Sequence, residues 1–380
     1  MLDTSRRTAF DDSHELFRGE VRKFLAKELT PFLETWEKEG ITPRIFWNVC
    51  GSAGLLCPTV PEEYGGLGLD FGYNAVIDEE LAYAGSTSGM TLHSDIVADY
   101  IVHYGTEEQK RHWLPRMVSG ETVTAIAMTE PGAGSDLQGV RTTARREGDV
   151  YVVNGSKTYI TNGQHADLTI VVAKTDPALG ARGTSLILVE AEREGYTKGR
   201  NLDKIGFHSQ DTSELFFNDV RVPATNLLGA EGQGFAYLMN QLPQERLSIA
   251  CSAQGAAQRA FDEAVKFTKE RKAFGKTVFE FQNTKFTLAD MAAKLQVGWA
   301  HLDWAIGRHI AGELTAAEAS AAKLWHTELQ GEVCDRALQL HGGAGYMNEY
   351  PIARLWRDAR ITRIFGGTSE IMKEVVARSL

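Results

Sequence analysis

Residues 127–163 read AMTEPGAGSDLQGVRTTARREGDVYVVNGSKTYITNG, and they decide the fold class of this 380-residue chain. A Gly-Ala-Gly turn follows an apolar segment, as it does in dinucleotide-binding domains. In those domains a helix comes next, whereas here VRTTARR, VYVVNG and KTYITN are β-branched runs separated by Gly, Asp and Asn. The stretch therefore predicts antiparallel strands and argues against a doubly wound nucleotide-binding domain.

The segments on either side of this β region have a helical pattern. In the opening third, Phe17, Val21, Phe24 and Leu25 fall on one face of a helix, and long helical segments resume after Pro223. Between them, TVTAIAM, DLTIVVAK, GTSLILVEA and SELFFNDV extend the series of short strands. The order predicts an α+β chain. We expect an N-terminal α-helical domain at 1–120, a middle antiparallel β-barrel or sandwich domain at 121–225 and a C-terminal α-helical domain at 226–380.

Composition restricts the classes of partner. The net charge is −10, and no long basic run offsets it, which argues against a nucleic-acid partner. The four cysteines form no C-x-x-C pair and no His cluster accompanies them, so a reduced interior without a metal site is expected. The N-terminus lacks the apolar core of a secretory signal, and no apolar run is long enough to span a bilayer. We therefore expect a cytoplasmic protein with no membrane insertion.

Three glycine loops have the chemistry to bind anions. The turn at Gly134 and Ser135 can offer backbone N–H groups and a hydroxyl, although the local sequence slightly favours a simple strand-to-strand turn. LQLHGGAGYM at 338–347 closes a helix, which capping alone explains. RIFGGTSEIMKEVV at 363–376 precedes a helix that Thr368 or Ser369 can cap, and a helix N-terminus favours anions.

One carboxylate is placed unusually in LMNQLPQERLSIA at 238–250. Leu238, Leu242 and Ile249 recur at helical spacing, so Glu245 falls on the same apolar stripe. No cation lies four residues before or after it. A carboxylate at the edge of the stripe, which reaches water or pairs with Arg246, is one reading, and a buried base is the other.

Read together, the motifs occur in the order and spacing of a known family. They are MTEPGAGSD, KTYITNG, ERKAFGKTVFEFQ, LQLHGGAGYMNEYPIARLWRDARI and FGGTSEI, preceded by RKFLAKELTPFLETWEKEG and PEEYGG. The chain resembles the acyl-CoA dehydrogenases over nearly its whole length. LPQERL, LHGGAGYMNEYPIA and GGTSEIMKE resemble the long-chain branch. The resemblance implies a C-terminal four-helix bundle and a homotetramer. It also implies FAD between the β domain and the C-terminal helices, with the adenine half reaching a neighbouring subunit.

The resemblance assigns cofactor contacts position by position. The implied FAD contacts are Ala127, Met128, Thr129, Gly134, Ser135, Tyr159, Thr161, Arg271, Phe274, Gln282, Gln339, Gly343 and Thr368. Backbone 127–129 is expected along the flavin and the Gly134 turn at the pyrophosphate. Tyr159 is expected against the isoalloxazine, where many relatives carry Trp, and Thr161 near flavin N5. Three of these residues, Arg271, Phe274 and Gln282, are expected to reach the FAD of an adjacent subunit. Arg271 is expected to do so through a charge-assisted bond to phosphate.

The implied reaction needs a base at the substrate α carbon while hydride leaves the β carbon. Medium- and short-chain members carry this Glu two residues before the threonine of the last motif, where this chain has Gly366. In the long-chain and isovaleryl branches the Glu lies on the helix after the β domain and precedes Arg, as in QERL. We therefore expect Glu245 as the base and the Gly366 N–H as a donor to the enolate oxygen. Glu370, inside the last motif, is the rival, and Pro243 is expected to kink the helix just before the base.

The predicted function is FAD-dependent α,β-dehydrogenation of an acyl-CoA to a trans-2-enoyl-CoA. The resemblance implies electron-transferring flavoprotein as the acceptor, and the residues do not define the acyl chain. An acyl-CoA oxidase that uses O2 is an alternative, although the chain lacks the extra C-terminal domain common in oxidases. A catalytically silent flavin-binding homologue is a second alternative, which Gly366 suggests and Glu245 opposes.

Overall fold

A computed structural model describes residues 7–86 and 88–380 of the chain. The N-terminal part is helical, as predicted. Its helices are α1 Asp12–Glu28, α2 Leu33–Glu39, α3 Arg44–Ser52, α4 Phe71–Ala84, α5 Ala98–Tyr104 and α6 Glu107–Val118. The Asp11 side chain caps α1 by accepting from the backbone N–H groups of Ser13 and His14. A π-helical turn, Leu92–Val97, leads into α5. Such turns are often found at functional sites.

The middle part is one eight-stranded sheet. Its strands are β1 Thr124–Ala127, β2 Thr143–Glu147, β3 Val150–Thr161, β4 Leu168–Lys174, β5 Thr184–Glu190, β6 Tyr196–Asn201, β7 Thr212–Pro223 and β8 Leu227–Leu228. They lie in the order β6-β7-β3-β2-β4-β5-β8, with β1 on β4. Most pairings are antiparallel as expected, but β1 and β2 both pair with β4 in parallel. The middle of the sheet is therefore mixed because β1 and β4, which pair at Thr124 and Leu168, 44 residues apart, run in the same direction.

Two of the predicted strands are one. VYVVNG and KTYITN form the single strand β3, because the Gly and Asn between them produce a bulge and not a turn. The register of β3 against β7 shifts between Val153 and Gly155 and again between Lys157 and Ile160. Tyr159 lies in the second shift with φ of 60°, an uncommon conformation for a residue other than Gly. The bulge turns this side chain outward at the end of the strand.

The C-terminal part is again helical. Its helices are α7 Gly234–Glu270, α8 Gln282–Ile310, α9 Ala316–His341, α10 Pro351–Thr362 and α11 Ser369–Ala377, and a small hairpin of β9 Lys272–Ala273 and β10 Lys276–Thr277 joins α7 to α8. Helix α7 packs against α9 and α8 of this bundle and also against α4 of the N-terminal part. It continues through Pro243. Helix α7 therefore lies at the centre of the molecule, and its residues face both helical regions.

The described residues were also compared with the requirements of a membrane span, a metal site and a disulfide. In the part of the chain that the structure covers, no helix is long and apolar enough to cross a membrane. No three His, Cys, Asp or Glu side chains of residues 7–86 and 88–380 are grouped to hold a metal ion. The four cysteines are buried and unpaired.

Candidate active site

Glu245 is buried on α7. Its side chain is 5% exposed and accepts one hydrogen bond, 3.0 Å long, from the Tyr100 hydroxyl on α5. Burial raises the pKa of Glu245 to about 7, although the Tyr100 hydrogen bond and the charge of Arg246 act to lower it. A carboxyl group with a pKa near neutrality can both take and release a proton at physiological pH.

Arg246 does not pair with Glu245. Its Nη1 donates to the Ser320 hydroxyl on α9 at 3.0 Å, and its buried Nε has no hydrogen-bond partner among the described residues. Burial lowers the pKa of Arg246. The arginine therefore contributes positive charge near the carboxylate without a direct hydrogen bond. Among the described residues Glu245 is thus neither exposed to water nor hydrogen bonded to Arg246, the two forms of the alternative reading.

Gly366 faces the same turn of α7. A Cβ added at Gly366 would lie 2.3 Å from Cδ1 of Ile249, which is one helical turn after Glu245. Gly366 also has φ of 61°, a conformation that favours glycine. Its N–H group donates to no other group in the described chain. The structure therefore places Gly366 against Ile249, on the turn of α7 that follows Glu245, with a backbone N–H that no described group accepts.

A loop of the β domain joins Gly366 to strand β3. The Phe207 ring stacks on Phe365 with centroids 6.4 Å apart, and the Gln210 amide donates to the Thr161 hydroxyl at 3.3 Å. The Phe207 N–H donates to the buried Asp358 carboxyl group on α10 at 2.6 Å. Thr161, which the resemblance assigns to the flavin, is thus linked through residues 205–211 to Phe365, the neighbour of the predicted enolate donor Gly366.

The segment after β1 is held against β3 by a buried lysine. Lys157 is 1% exposed, and its Nζ donates to the Met128 carbonyl at 3.0 Å and to Glu130 at 2.9 Å. The Thr158 N–H donates to the Thr129 carbonyl at 2.9 Å. Ala127 is buried at the end of β1, so the predicted flavin-facing backbone is rigidly fixed.

The predicted cofactor positions on the β domain are open to solvent. A Cβ at Gly134 would meet no atom within 4 Å, and Ser135 is exposed. Tyr159 is 69% exposed beside the half-buried Thr161. A ligand in solution therefore has access both to the turn at Gly134 and to the β3 bulge at Tyr159.

A second group of predicted residues lies at the far end of the bundle. It comprises Arg271, Phe274, Gln282, Gln339 and Gly343, all exposed. The stacking of Phe267 on His341, 4.4 Å between centroids, joins the end of α7 to the end of α9 and brings these residues to one end. Phe274 is 95% exposed. No hydrogen bond or ion pair of the described residues joins these side chains to Glu245 or Tyr100.

The remaining candidates have structural roles. Thr368 caps α11 by accepting from the Ile371 N–H at 3.3 Å, as the sequence predicts. Glu370 is exposed in the first turn of α11, and the local backbone and Thr368 lower its pKa. His341 donates from Nδ1 to the Ala337 carbonyl of its own helix α9, and its ring stacks on Phe267 of α7. An exposed carboxylate with a lowered pKa is a poor base, so Glu370 is a weaker candidate than Glu245.

Sequence reasoning did not find Tyr100, Lys157 or Ile249. Tyr100 lies 145 residues from Glu245, so no local pattern connects them. Lys157 occupies a strand position whose alternation is interrupted by the bulge, and its burial depends on Glu130. The apolar stripe of α7 includes Ile249 but does not indicate its contact with Gly366. Of the three residues, only Lys157 has a local signal, because it is a lysine within an otherwise β-branched run.

Three family models match consecutive parts of the chain. They are the acyl-CoA dehydrogenase N-terminal domain over residues 11–121, the middle domain over 125–220 and the C-terminal domain over 232–380. The long-chain specific acyl-CoA dehydrogenase of Sus scrofa mitochondria is 49% identical over 383 residues, covering 100% of this chain and 89% of that protein. The short-chain specific enzyme of Mus musculus mitochondria is 38% identical, covering 97% and 90%.

The solved structures give the same result. The crystal structure of an acyl-CoA dehydrogenase from Geobacillus kaustophilus has 53% sequence identity and a TM-score of 0.97, and covers 98% of this chain and 99% of its own. The similarity extends over all three parts of the fold. The chain therefore belongs to the acyl-CoA dehydrogenase family and resembles its long-chain branch.

Proposed function

We propose that this protein oxidises an acyl-CoA thioester to the trans-2-enoyl-CoA with Glu245 as the base that removes the α proton. The observation that carries the assignment is the buried carboxyl group of Glu245, with its pKa raised to about 7, beside the glycine that replaces the other family base position. Gly366 contributes its free backbone N–H to the thioester oxygen, where negative charge develops as the proton leaves.

The residues on the β domain fit a flavin dinucleotide. The exposed Tyr159 with the adjacent Thr161 offers a surface and a hydroxyl for the ring system, and the open turn at Gly134 and Ser135 offers backbone donors for the pyrophosphate. We assign the backbone of Met128 and Thr129 to the same flavin-facing surface as Tyr159 and Thr161. FAD, when bound, supplies the acceptor for the hydride that leaves the β carbon.

We assign the other proton and charge functions to residues of α5 and α7. Tyr100 holds the Glu245 carboxylate through its O–H and thereby orients the oxygen that remains free for the substrate. Arg246 places an unpaired guanidinium nitrogen near the same carboxylate and favours its ionised form. The apolar side chain of Ile249 excludes water between the base and Gly366.

We propose a homotetramer in which Arg271, Phe274, Gln282, Gln339 and Gly343 complete the FAD site of a neighbouring subunit. The exposed apolar side chains of α8, Phe286, Val297 and Trp304, follow one another at 11 and 7 residues and lie on one face of the helix. A face of this kind is suited to packing against another copy. Light scattering of the purified protein reports the number of subunits directly.

We further propose electron-transferring flavoprotein as the acceptor, a cytoplasmic location and the domain boundaries at residues 120 and 225. Strand β8 lies at Leu227–Leu228, so the sheet extends slightly beyond the second boundary. Support for the acceptor and location comes from membership in the family together with the sequence features given above.

The function is tested with a series of thioesters from butyryl-CoA to palmitoyl-CoA, and isovaleryl-CoA. Each is mixed with purified holoprotein, and the enoyl-CoA product is identified by mass spectrometry. A dehydrogenase forms enoyl-CoA with electron-transferring flavoprotein and little hydrogen peroxide in air. Stoichiometric peroxide would identify an oxidase, and no product from any thioester would contradict the proposed function.

Replacing Tyr100 by Phe is expected to shift the pH dependence of flavin reduction to higher pH. The hydrogen bond from Tyr100 lowers the pKa of Glu245, so its loss raises that pKa and leaves less carboxylate at pH 7. The rate at pH 7 falls, whereas the rate at high pH recovers towards that of the wild type. Stopped-flow absorbance between pH 6 and pH 9 measures the shift. Tyr104→Phe is the control, since Tyr104 makes no contact with Glu245, and an equal shift in both variants would contradict the assignment.

Replacing Lys157 by Met is expected to weaken FAD binding. The change removes a charge-assisted hydrogen bond to the Met128 carbonyl and leaves Glu130 without its cation. A hydrogen bond of this kind contributes about 1.5–3 kcal/mol, which corresponds to roughly a tenfold to hundredfold increase in the FAD dissociation constant. Equilibrium dialysis or flavin fluorescence measures it. Lys198→Met is the control, because Lys198 also donates to two backbone carbonyls of the β domain but not to this segment.

A further inference from the structure

Two buried aspartates lie next to the base helix and have no role in the function proposed above. Asp78 is on α4 and Asp95 is on the π-helical turn, and their exposures are 1% and 3%. Their carboxyl groups lie close enough for each to change the pKa of the other. Two neighbouring carboxylates in the protein interior cannot both be ionised without a large cost in free energy. The pair is therefore expected to hold one proton.

The contacts indicate which aspartate carries the proton. Asp95 accepts from the Asn74 amide at 2.8 Å through Oδ1 and from the Ser248 hydroxyl at 2.7 Å through Oδ2. Asp78 accepts from the Thr91 hydroxyl at 2.7 Å through Oδ1, but its buried Oδ2 receives no hydrogen bond from the described residues. A proton on Asp78 converts this acceptor into a donor to Asp95. Burial raises the pKa of Asp78 well above its usual range, and that of Asp95 to about 6, in agreement with this location.

Asp95 is attached to α7 on both sides of Glu245. Its side chain accepts from Ser248, three residues after the base, and its backbone carbonyl accepts from the Gln244 amide, one residue before it, at 2.6 Å. The side-chain amide oxygen of Gln244, Oε1, in turn accepts from His309 Nε2 of α8 at 2.9 Å. Pro243 cannot donate to the carbonyl four residues back, so the helix lacks one internal hydrogen bond immediately before this turn. The Asp95 contacts hold the helix where its own hydrogen bonding is weakest.

We propose that Asp95 is a positioning residue for the catalytic turn of α7, and that Asp78 keeps it in place by donating the proton that the two carboxyl groups share. This inference rests on Glu245 as the base, as proposed above. When Asp78 is the donor, Asp95 accepts from three groups and its geometry is fixed. When the donor is lost, Asp95 is an uncompensated charge that must move or take up a proton, and Ser248 moves with it.

The charged groups around the pair do not replace this proton. Glu79 on α4 and Asp99 on α5 are both negative and oppose ionisation of the pair. Arg7 forms its hydrogen bonds with Glu79 and Asp303. His309 of α8 is held neutral by burial, which lowers its pKa. No ion pair joins Asp78 or Asp95 to a cation in the described chain. The shared proton is therefore the compensation that the structure offers.

Three variants test the proposal as holoproteins with equal FAD content. Asp78→Asn keeps a donor to Asp95 at nearly the same volume, Asp78→Leu removes the donor, and Ser248→Ala removes the contact of Asp95 with α7. Flavin reduction by a reactive acyl-CoA is followed in single turnover at saturating substrate, together with the substrate dissociation constant and the melting temperature. Thr327→Val is the control, because this buried hydroxyl of α9 bonds only to carbonyls of its own helix.

Asp78→Asn and Thr327→Val are expected to reduce flavin within about twofold of the wild-type rate, at an unchanged substrate dissociation constant. In Asp78→Leu and Ser248→Ala the rate of flavin reduction is expected to fall by about tenfold or more, because small displacements of a catalytic group have effects of this size. Wild-type rates in Ser248→Ala, or equal losses in the Asn and Leu variants, would overturn the proposal. If Asp78→Leu does not fold, Ser248→Ala decides.

An infrared titration separates this inference from the proposed function. The carboxyl band of Glu245 is identified by its absence in Glu245→Gln and is followed against pH without substrate. A loosened turn weakens the bond from Tyr100, so the pKa of Glu245 is expected to rise in Ser248→Ala. An unchanged titration would contradict positioning by Asp95 even if no acyl-CoA reduced the wild-type flavin, a result that would by itself contradict only the proposed function.

Discussion

Replacing Glu245 by Gln is expected to lower the rate of acyl-CoA oxidation by about 10²- to 10⁴-fold, the usual contribution of a positioned base. The amide has nearly the same shape as the carboxyl group and still accepts the hydrogen bond from Tyr100, but it cannot take up a proton. FAD binding is expected to remain unchanged, because Glu245 is not among the proposed FAD contacts. Turnover and bound flavin are measured on the same preparation, which separates loss of the base from loss of the cofactor.

Glu370→Gln is the matched control for this prediction. Glu370 is exposed at the start of α11, and its pKa is lowered, so it already holds its charge in water and does not face the turn of α7. Its replacement is expected to leave turnover close to the wild-type value. A loss as large as that of Glu245→Gln would exchange the two assignments. Glu245→Asp shortens the side chain of the base by one methylene group. Its turnover rate is expected to lie between those of the wild type and the Gln variant.

Replacing Glu79 by Gln is expected to destabilise the protein by about 3–5 kcal/mol, the usual cost of breaking a buried ion pair on one side. Glu79 is 2% exposed and accepts from Arg7 at 3.0 and 2.9 Å and from Arg18 at 2.8 Å. Arg7 belongs to the segment preceding α1, so these bonds attach that segment to α4. The Gln variant leaves two buried guanidinium groups short of an anion. Denaturant unfolding followed by circular dichroism measures the loss.

The same group gives the stability a pH dependence with a definite sign. Burial acts to raise the pKa of Glu79, but the charges and hydrogen bonds of Arg7 and Arg18 outweigh it and lower that pKa. The stabilisation is therefore complete above the unfolded-state pKa and is lost as pH falls through the lower folded-state pKa. Glu79→Gln should remove this part of the acid sensitivity. Glu374→Gln, which breaks an exposed pair with Arg378, is the control and is expected to have no measurable effect. Equal losses in both variants would contradict the role of the buried network.

Local sequence was sufficient to predict much of the fold and to select Glu245 as the proposed base. The change from helical to β-branched periodicity around residues 121–225 predicted the three-part architecture, because periodicity follows directly from which face of an element is buried. The order of the motifs carried the family, and the Glu-Arg pair at 245–246 carried the branch. The position of Thr368 before an apolar run was enough to predict its capping of α11.

The features that the sequence did not predict depend on contacts between residues far apart in the chain. Bulges in β3 keep one strand continuous where Gly and Asn suggested a turn, and their geometry is set by the partner strand β7. The parallel pairing of β1 with β4 is a property of the assembled sheet. The pKa of Glu245 depends on burial by α5 and on Tyr100, and the pair Asp78–Asp95 becomes visible only when α4 and the π-helical turn meet.

The most direct measurement of the central claim is the absorbance of the flavin on anaerobic mixing with a long-chain acyl-CoA, for wild type and Glu245→Gln at equal FAD occupancy. The account predicts that the oxidised flavin band bleaches rapidly in the wild type and persists in the variant. Bleaching of the variant at the wild-type rate would show that another group removes the α proton, and would contradict the assignment of Glu245 as the base.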